Sequence, residues 1–146
     1  MNYSQPWQSY RQVTTKTAPP GQLVLMLFDG AIRFLERALA GFDYDDPLEF
    51  NLTINNNVQR AQDILRELDA SLDLVRGGDL AVTLHRLYDY LDRRLTDSNL
   101  KKKPDGIREA IQRLTVLRDA WRQMLGQQGA EVSAAPFRAE GLCACV

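Results

Sequence analysis

The stretch from Gly21 to Phe42 carries more apolar surface than a single helix contact requires. At about 100° per residue, its apolar side chains spread over an arc of about 200°, whereas a surface helix needs a stripe only a little wider than about 100°. We therefore predict a helix covered on two flanks, which suits either a central bundle helix or a helix that also borders a peptide-binding groove. The apolar residues are Leu23, Val24, Leu27, Phe28, Ala31, Ile32, Phe34, Leu35, Ala38 and Leu39.

Proline and periodicity define this helix and the next. Pro20, whose fixed φ suits a first helical position, predicts the start of the first helix, which ends near Gly41. A second helix is predicted between Leu48 and Leu72, where apolar residues alternate in spacing between four and three. Asparagines near its start are poor helix formers and predict frayed first turns. Its predicted inward residues are Ile54, Val58, Ala61, Leu65, Leu68 and Leu72, with Ile64 on the shoulder of this stripe.

Two more helices follow the break at Gly77 and Gly78. The third is predicted from about Leu80 to Asn99, and the fourth from an N-cap at Asp105 to about Leu125. The predicted inward residues of the third are Leu80, Leu84, Leu87, Tyr88, Leu91 and Leu95. Those of the fourth are Ile107, Ile111, Leu114, Leu117, Trp121 and Leu125.

Four helices joined by short turns predict an all-α fold, an up-down-up-down antiparallel four-helix bundle over residues 17–125. Residues 1–16 are predicted to form a flexible N-terminal segment. Residues 126–146 show no sustained hydrophobic period and are predicted to be a disordered C-terminal tail.

The charge and cysteine content narrows the class of protein. A net charge of −1 gives no overall attraction to nucleic acid or anionic lipid, so we expect neither nucleic-acid binding nor membrane insertion. No apolar run approaches the ~18–20 residues of a membrane span, and the N-terminus lacks a secretory layout, so we expect a cytoplasmic protein. Cys143 and Cys145 are too few for a structural zinc site and are interpreted as part of an inert tail.

The sequence lacks the residue combinations that common catalytic sites require. Di-iron bundles need Glu-x-x-His pairs on facing helices, whereas this chain has a single histidine, His85, which we predict to be solvated. The serines lack a base and an orienting partner, and the paired carboxylates fall on polar faces or turns. We therefore predict no enzymatic activity, no metal and no cofactor.

One charged residue falls on an apolar face. Arg118 projects close to the middle of the apolar stripe of the fourth helix. Two interpretations remain open: its stem packs while the guanidinium reaches the bundle edge, or it forms an interhelical ion pair with an acid such as Asp73 or Asp92.

Five sequence pieces in order resemble the flagellin export chaperone family, FliS. They are LMLFDGAIRF (residues 25–34), AQDILRELDASLD (61–73), the glycine pair (77–78), LYDYLDRRL (87–95) and LRDAW (117–121), and Tyr10 with Thr17-Ala18 also matches. The resemblance covers roughly residues 10–125. Pro19 departs from it, standing where the family often has a serine, and the tail beyond Leu125 has no counterpart.

This resemblance implies a cytoplasmic chaperone that binds the disordered C-terminal region of flagellin, prevents premature polymerisation and assists delivery to the flagellar type III export gate. Such a client is amphipathic, so the chaperone must offer an alternative apolar groove. The candidate client-binding residues are Phe28, Ile32, Ile64, Val82, Tyr90 and Val116, together with Tyr10 as the anchor of an N-terminal segment that occupies the groove when no client is bound.

Two other interpretations stay open. In the first, the chain is a helical adaptor that uses the same apolar surface to bind a folded regulatory protein. In the second, the extra apolar flank of the first helix packs against a second copy in a homodimer.

Overall fold

The computed structural model describes residues 20–74 and 76–130. Four α-helices occupy nearly all of these residues: α1 (Pro20–Gly41), α2 (Pro47–Ala70), α3 (Gly78–Lys101) and α4 (Asp105–Ala130). No strand occurs within the described ranges. The predicted all-α four-helix class is therefore confirmed.

The helices form a ring in which each one packs against two neighbours: α1 against α2 and α4, and α3 against α2 and α4. Contacts between opposite helix ends show that successive helices run antiparallel. The end of α1 at Gly41 meets Ile54 near the start of α2, and Asn55 of α2 accepts a hydrogen bond of 2.9 Å from Asn99 near the end of α3. This arrangement covers α1 on two flanks, as predicted from its wide apolar arc.

The start of α2 differs from the prediction. The helix begins at Pro47, because the Asp46 carboxylate caps it by accepting the main-chain N–H of Glu49 at 2.9 Å. Asn51 donates its side-chain amide to the carbonyl of Pro47 at 2.8 Å. The expectation of frayed first turns was wrong, since this cap satisfies backbone groups that would otherwise be free.

The fourth helix also differs at both ends. Asp105 is its first helical residue rather than its N-cap, and the helix continues to Ala130, beyond the predicted end at Leu125. The predicted tail therefore begins in a helix, and its remaining part, residues 131–146, lies outside the described residues.

The core follows the predicted inward faces with one clear exception. The central positions of all four helices are buried, among them Leu35 in α1, Leu65 in α2, Leu91 in α3 and Leu114 in α4. Leu80, predicted to point inward from α3, is instead 52% exposed. Its position marks the end of the bundle where the packing opens.

Candidate functional site

An apolar groove opens at the end of the bundle where α1 and α3 begin and α4 ends. It encloses a cavity of about 160 Å³. The lining consists of Val24 and Phe28 from α1, Leu72 from the α2–α3 connection, Leu80, Leu84 and Tyr88 from α3, and Leu117, Ala120, Trp121 and Met124 from α4. We call this feature the apolar groove.

The floor and the rim of the apolar groove differ in exposure. Phe28 and Tyr88 are buried and form its floor, whereas Leu80 stands exposed at the rim. Leu84 and Leu117 are half-buried, so they contribute to the core and to the groove wall at once. The groove is therefore continuous with the core, and a large apolar side chain entering it would extend the packing of the bundle.

The wall formed by α4 is fixed to the start of α1. The indole Nε1–H of Trp121 donates a hydrogen bond of 2.8 Å to the main-chain carbonyl of Gly21. A Cβ atom on Gly21 would lie 2.6 Å from Cδ2 of Leu125, so the absence of a side chain there lets the two helices approach closely. These contacts fix the α4 wall of the groove against the first turn of α1.

The structure distributes the predicted client-binding residues over different environments. Phe28 lines the apolar groove, but it is only 3% exposed, and Ile32 and Ile64 are 3% and 1% exposed in the core. Val82 is half-buried on α3 and is not part of the groove lining. Tyr90 and Val116 are exposed on α3 and α4. Tyr10 lies outside the described residues.

Sequence reasoning missed most of the groove. Leu80, Leu84, Leu117 and Trp121 were assigned to inward faces, and Met124 was not singled out. Their helical spacing is the same as that of buried positions, so periodicity alone does not separate them from core. One sequence signal could have indicated the groove. The glycine pair Gly77 and Gly78 marks the start of α3 and therefore places Leu80 and Leu84 near an end of the bundle.

Comparison with known proteins identifies the family. Residues 3–128 match the family described as "Flagellar protein FliS". The chain belongs to the FliS family. It is 34% identical over 125 residues to the flagellar secretion chaperone FliS of Bacillus subtilis (strain 168), an alignment that covers 86% of this chain and 90% of that protein. It is 33% identical over 121 residues to the flagellar secretion chaperone FliS of Salmonella typhimurium (strain LT2), covering 80% and 87% respectively.

In this FliS chain, Tyr90 belongs to a charged cluster rather than to the apolar groove. Its hydroxyl donates to Glu109 Oε2 at 2.7 Å, and Arg94 and Arg113 each donate through Nε to Glu109 at 2.9 Å. These hydrogen bonds, that of Tyr90 first and those of Arg94 and Arg113 after it, lower the pKa of Glu109 to about 2. The guanidinium of Arg113 also lies 5.7 Å from the centre of the Tyr90 ring. Tyr90 is thus held in place beside a fixed negative charge.

Arg118 of this FliS chain forms an interhelical ion pair, but with neither of the predicted partners. Its Nη1 lies 3.4 Å from Oδ1 of Asp29 on α1. Asp92 lies 3.5 Å from Arg66 instead. The guanidinium borders a polar cavity of about 420 Å³ between α1 and α4, while its stem is partly buried, so features of both interpretations are present. The predicted interhelical ion pair is therefore present, but the acids suggested as its partner, Asp73 and Asp92, were wrong, because Arg118 pairs across to α1.

Other titratable groups form no further site in the described part of the chain. His85 is half-exposed, and its Nδ1 lies 2.7 Å from Asp69 Oδ1 across the α2–α3 interface. Among residues 20–74 and 76–130, no three His, Cys, Asp or Glu side chains are grouped so as to hold a metal ion. Within the same ranges, no helix combines the length and apolar content that a bilayer span requires.

Proposed function

We propose that this FliS chain is a cytoplasmic export chaperone that binds the disordered C-terminal region of flagellin through the apolar groove. In this role it prevents premature polymerisation and assists delivery of the client to the flagellar type III export gate. The observation that supports the proposal is the groove itself: a set of large apolar side chains, open to solvent, in a chain whose relatives are flagellar secretion chaperones.

The size of the groove suggests how the client is held. A cavity of about 160 Å³ accommodates about one large aliphatic side chain rather than a whole helix. A long amphipathic client therefore places one anchor residue in the groove and continues along the surface of the bundle, where Tyr90 and Val116 are exposed. Ordering a disordered segment costs several kcal/mol of free energy. In an extended contact, many residues each contribute a small part of the binding energy that offsets this cost.

The start of α1 supports a role for the N-terminal segment. Gly21 is bonded to Trp121 in the groove wall, so Pro20, the first residue that the structure describes, lies near the apolar groove. In the absence of client, Tyr10 is proposed to place its ring in the groove and to keep its hydroxyl in water. Deleting residues 1–13 should then raise the affinity for client, and unchanged affinity would contradict this part of the proposal.

The decisive experiment is a titration of labelled flagellin C-terminal peptide with the full chain, followed by fluorescence anisotropy and circular dichroism. We expect binding with a gain of helix. Leu80→Gln combined with Met124→Gln should weaken binding by about tenfold or more, because each change places a polar amide in the groove. Leu100→Gln is the matched control, since Leu100 is exposed on α3 far from the groove.

Two results would overturn the proposal: no binding of the peptide, or equal binding by the groove variant. A helical adaptor for a folded regulator should ignore the isolated peptide, so the same assay separates that alternative. The homodimer alternative was based on an extra apolar flank of α1. In the structure α2 and α4 cover both flanks of α1, and Ile32 is buried, so that flank is not available to a second copy. Delivery to the export gate is tested by asking whether the chaperone–peptide complex binds a purified gate component.

A further inference from the structure

The end of the bundle opposite the apolar groove carries exposed apolar side chains. Tyr44 in the α1–α2 turn is 46% exposed, and Leu48 and Leu52 in the first turns of α2 are 65% and 48% exposed. Leu48 and Leu52 are four residues apart, so they lie on the same side of the helix. We call these three residues, with the carboxylates of Asp43, Asp45, Asp46 and Glu49, the acidic end.

The charge of the acidic end is strongly one-sided. From Ala38 to Gln59 the sequence contains these four carboxylates and no lysine, arginine or histidine. The chain as a whole has a net charge of −1, so the remaining residues together carry +3, since −1 − (−4) = +3. Among the described residues, none of the four carboxylates forms a salt bridge. Three exposed apolar side chains thus lie in a short stretch of chain with four unpaired carboxylates and no basic residue.

Local contacts also hold the turn of the acidic end against α2. Asp46 caps α2 through Glu49, and the rings of Phe42 and Phe50 pack edge to face with centroids 5.4 Å apart, which fixes the turn against the helix. A partner that binds a surface already held in its final shape does not have to offset the entropy of ordering it. Exposed apolar groups beside unpaired charges are typical of a docking surface.

We infer that the acidic end docks a basic amphipathic helix of a partner protein. Apolar residues of that helix would cover Leu48, Leu52 and Tyr44, and its lysines or arginines would pair with the surrounding carboxylates. The helical rise places the acidic end about 25 Å from the apolar groove, measured along α1 from Val24 to Gly41. The two surfaces can therefore be occupied at the same time, and this inference does not depend on what the groove binds.

A second copy of the chain is the competing occupant. The α3–α4 turn at the same end exposes Leu100 beside Lys101, Lys102 and Lys103, so a two-fold arrangement would bring this basic turn against the acidic end. The end of a four-helix bundle offers only about 400 Å² of contact, given helix diameters of about 10 Å. A stable dimer buries about 800 Å² on each side. The small area favours a separate helix, which can lie across the exposed side of α2.

The test uses the full chain and a labelled synthetic helical peptide of leucine and lysine, with leucines at three- and four-residue spacing. A peptide with glutamate in place of every lysine is its matched control. We expect the lysine peptide to bind, with affinity that falls steeply between about 0.05 and about 0.5 M salt, and the glutamate peptide not to bind. Saturating flagellin peptide should leave this binding unchanged.

Two variants locate the binding. Leu48→Gln with Leu52→Gln removes the apolar contact, and Asp43→Asn with Asp45→Asn and Glu49→Gln removes charge while leaving the Asp46 cap intact. Each should weaken binding of the lysine peptide by about tenfold or more, and the Leu100→Gln control should not. Circular dichroism verifies that both variants fold.

Three outcomes would overturn the inference. The first is binding that the acidic-end variants do not weaken. The second is loss of binding in the Leu80→Gln and Met124→Gln groove variant, which would place the peptide in the apolar groove. The third is a dimer in light scattering that is lost both in the charge variant and in Leu100→Gln, which would identify the occupant as a second copy.

Discussion

The indole N–H of Trp121 donates a hydrogen bond of 2.8 Å to the main-chain carbonyl of Gly21. This bond joins α4 to the first turn of α1. Trp121 also contributes its ring to the apolar groove. One side chain therefore both closes the bundle and shapes the surface proposed to hold the client.

Replacing Trp121 with phenylalanine should separate these two roles. Trp121→Phe keeps an aromatic ring in the groove wall but removes the hydrogen bond, so we expect the free energy of unfolding to fall by about 1 kcal/mol. Urea unfolding followed by circular dichroism measures the change. Met124→Leu, in the same wall but with no polar group to lose, is the control and should cost less. Equal costs in the two variants would show that the hydrogen bond contributes nothing.

Substituting alanine for each of two glycines in α4 should change the stability of the protein in opposite directions. A Cβ on Gly106 would lie 2.8 Å from the main-chain oxygen of Arg94 on α3, and backbone cannot yield as a flexible side chain can. Gly106→Ala should therefore destabilise the protein by about 1–3 kcal/mol. Gly126 has open space around it, so Gly126→Ala should stabilise the helix by up to about 1 kcal/mol.

Thermal unfolding of the two alanine variants beside the parent chain tests this pair. The melting temperature should fall for Gly106→Ala and rise for Gly126→Ala. A fall in both would mean that α4 does not continue as a stable helix through Gly126. No change at Gly106 would mean that α3 and α4 are further apart than the structure places them.

The helices were predictable because their ends carry strong local signals. Pro20 begins α1, and the glycine pair marks the start of α3, with Gly77 at the N-cap and Gly78 as the first helical residue. The cap of α2 was missed although Asp46 precedes Pro47, a combination that itself favours a helix start. The asparagine content of the first turns was given too much weight against this cap.

The apolar groove was not predictable from the same signals. Periodicity assigns Leu80 and Leu91 to one face of α3, yet Leu91 is covered by the other helices and Leu80 is not. Which of them is covered depends on where the neighbouring helices begin and how closely they pack, which is a property of the assembled bundle. The partner of Arg118 was missed for the same reason, because the choice of Asp29 depends on the rotation of α1 relative to α4.

The cluster around Glu109 predicts a dependence of stability on pH. The pKa of Glu109 is about 2 in the folded chain, below its ordinary value of 4.5, so the folded state binds fewer protons than the unfolded state in this range. The stabilisation is fully present above about pH 4.5 and is lost as the pH falls towards 2. It amounts to about 1–2 kcal/mol, less than the full pKa shift implies, because the charges are partly exposed to solvent.

Glu109→Gln tests this dependence. The difference in unfolding free energy between the parent chain and the variant should be largest near neutral pH and should shrink below about pH 4.5. Urea unfolding at a series of pH values provides the measurement. Asp89→Asn is the control, since Asp89 pairs with the exposed Arg93 among the residues that the structure describes and should have a smaller effect. A difference that stays constant down to about pH 2 would exclude the charge of Glu109 as the cause.

The ion pair between Arg118 and Asp29 can be separated from the packing of the arginine stem. Both side chains are partly exposed, so the pair itself should contribute less than about 1 kcal/mol. Arg118→Met keeps most of the stem, whereas Arg118→Ala removes it and should cost more. A double-mutant cycle of Arg118→Met with Asp29→Asn isolates the pair. We expect a small coupling energy that decreases at high salt. Zero coupling at low salt would show that the pair with Asp29 contributes nothing, which leaves stem packing and the contact with Asp119 at 3.1 Å as the roles of Arg118.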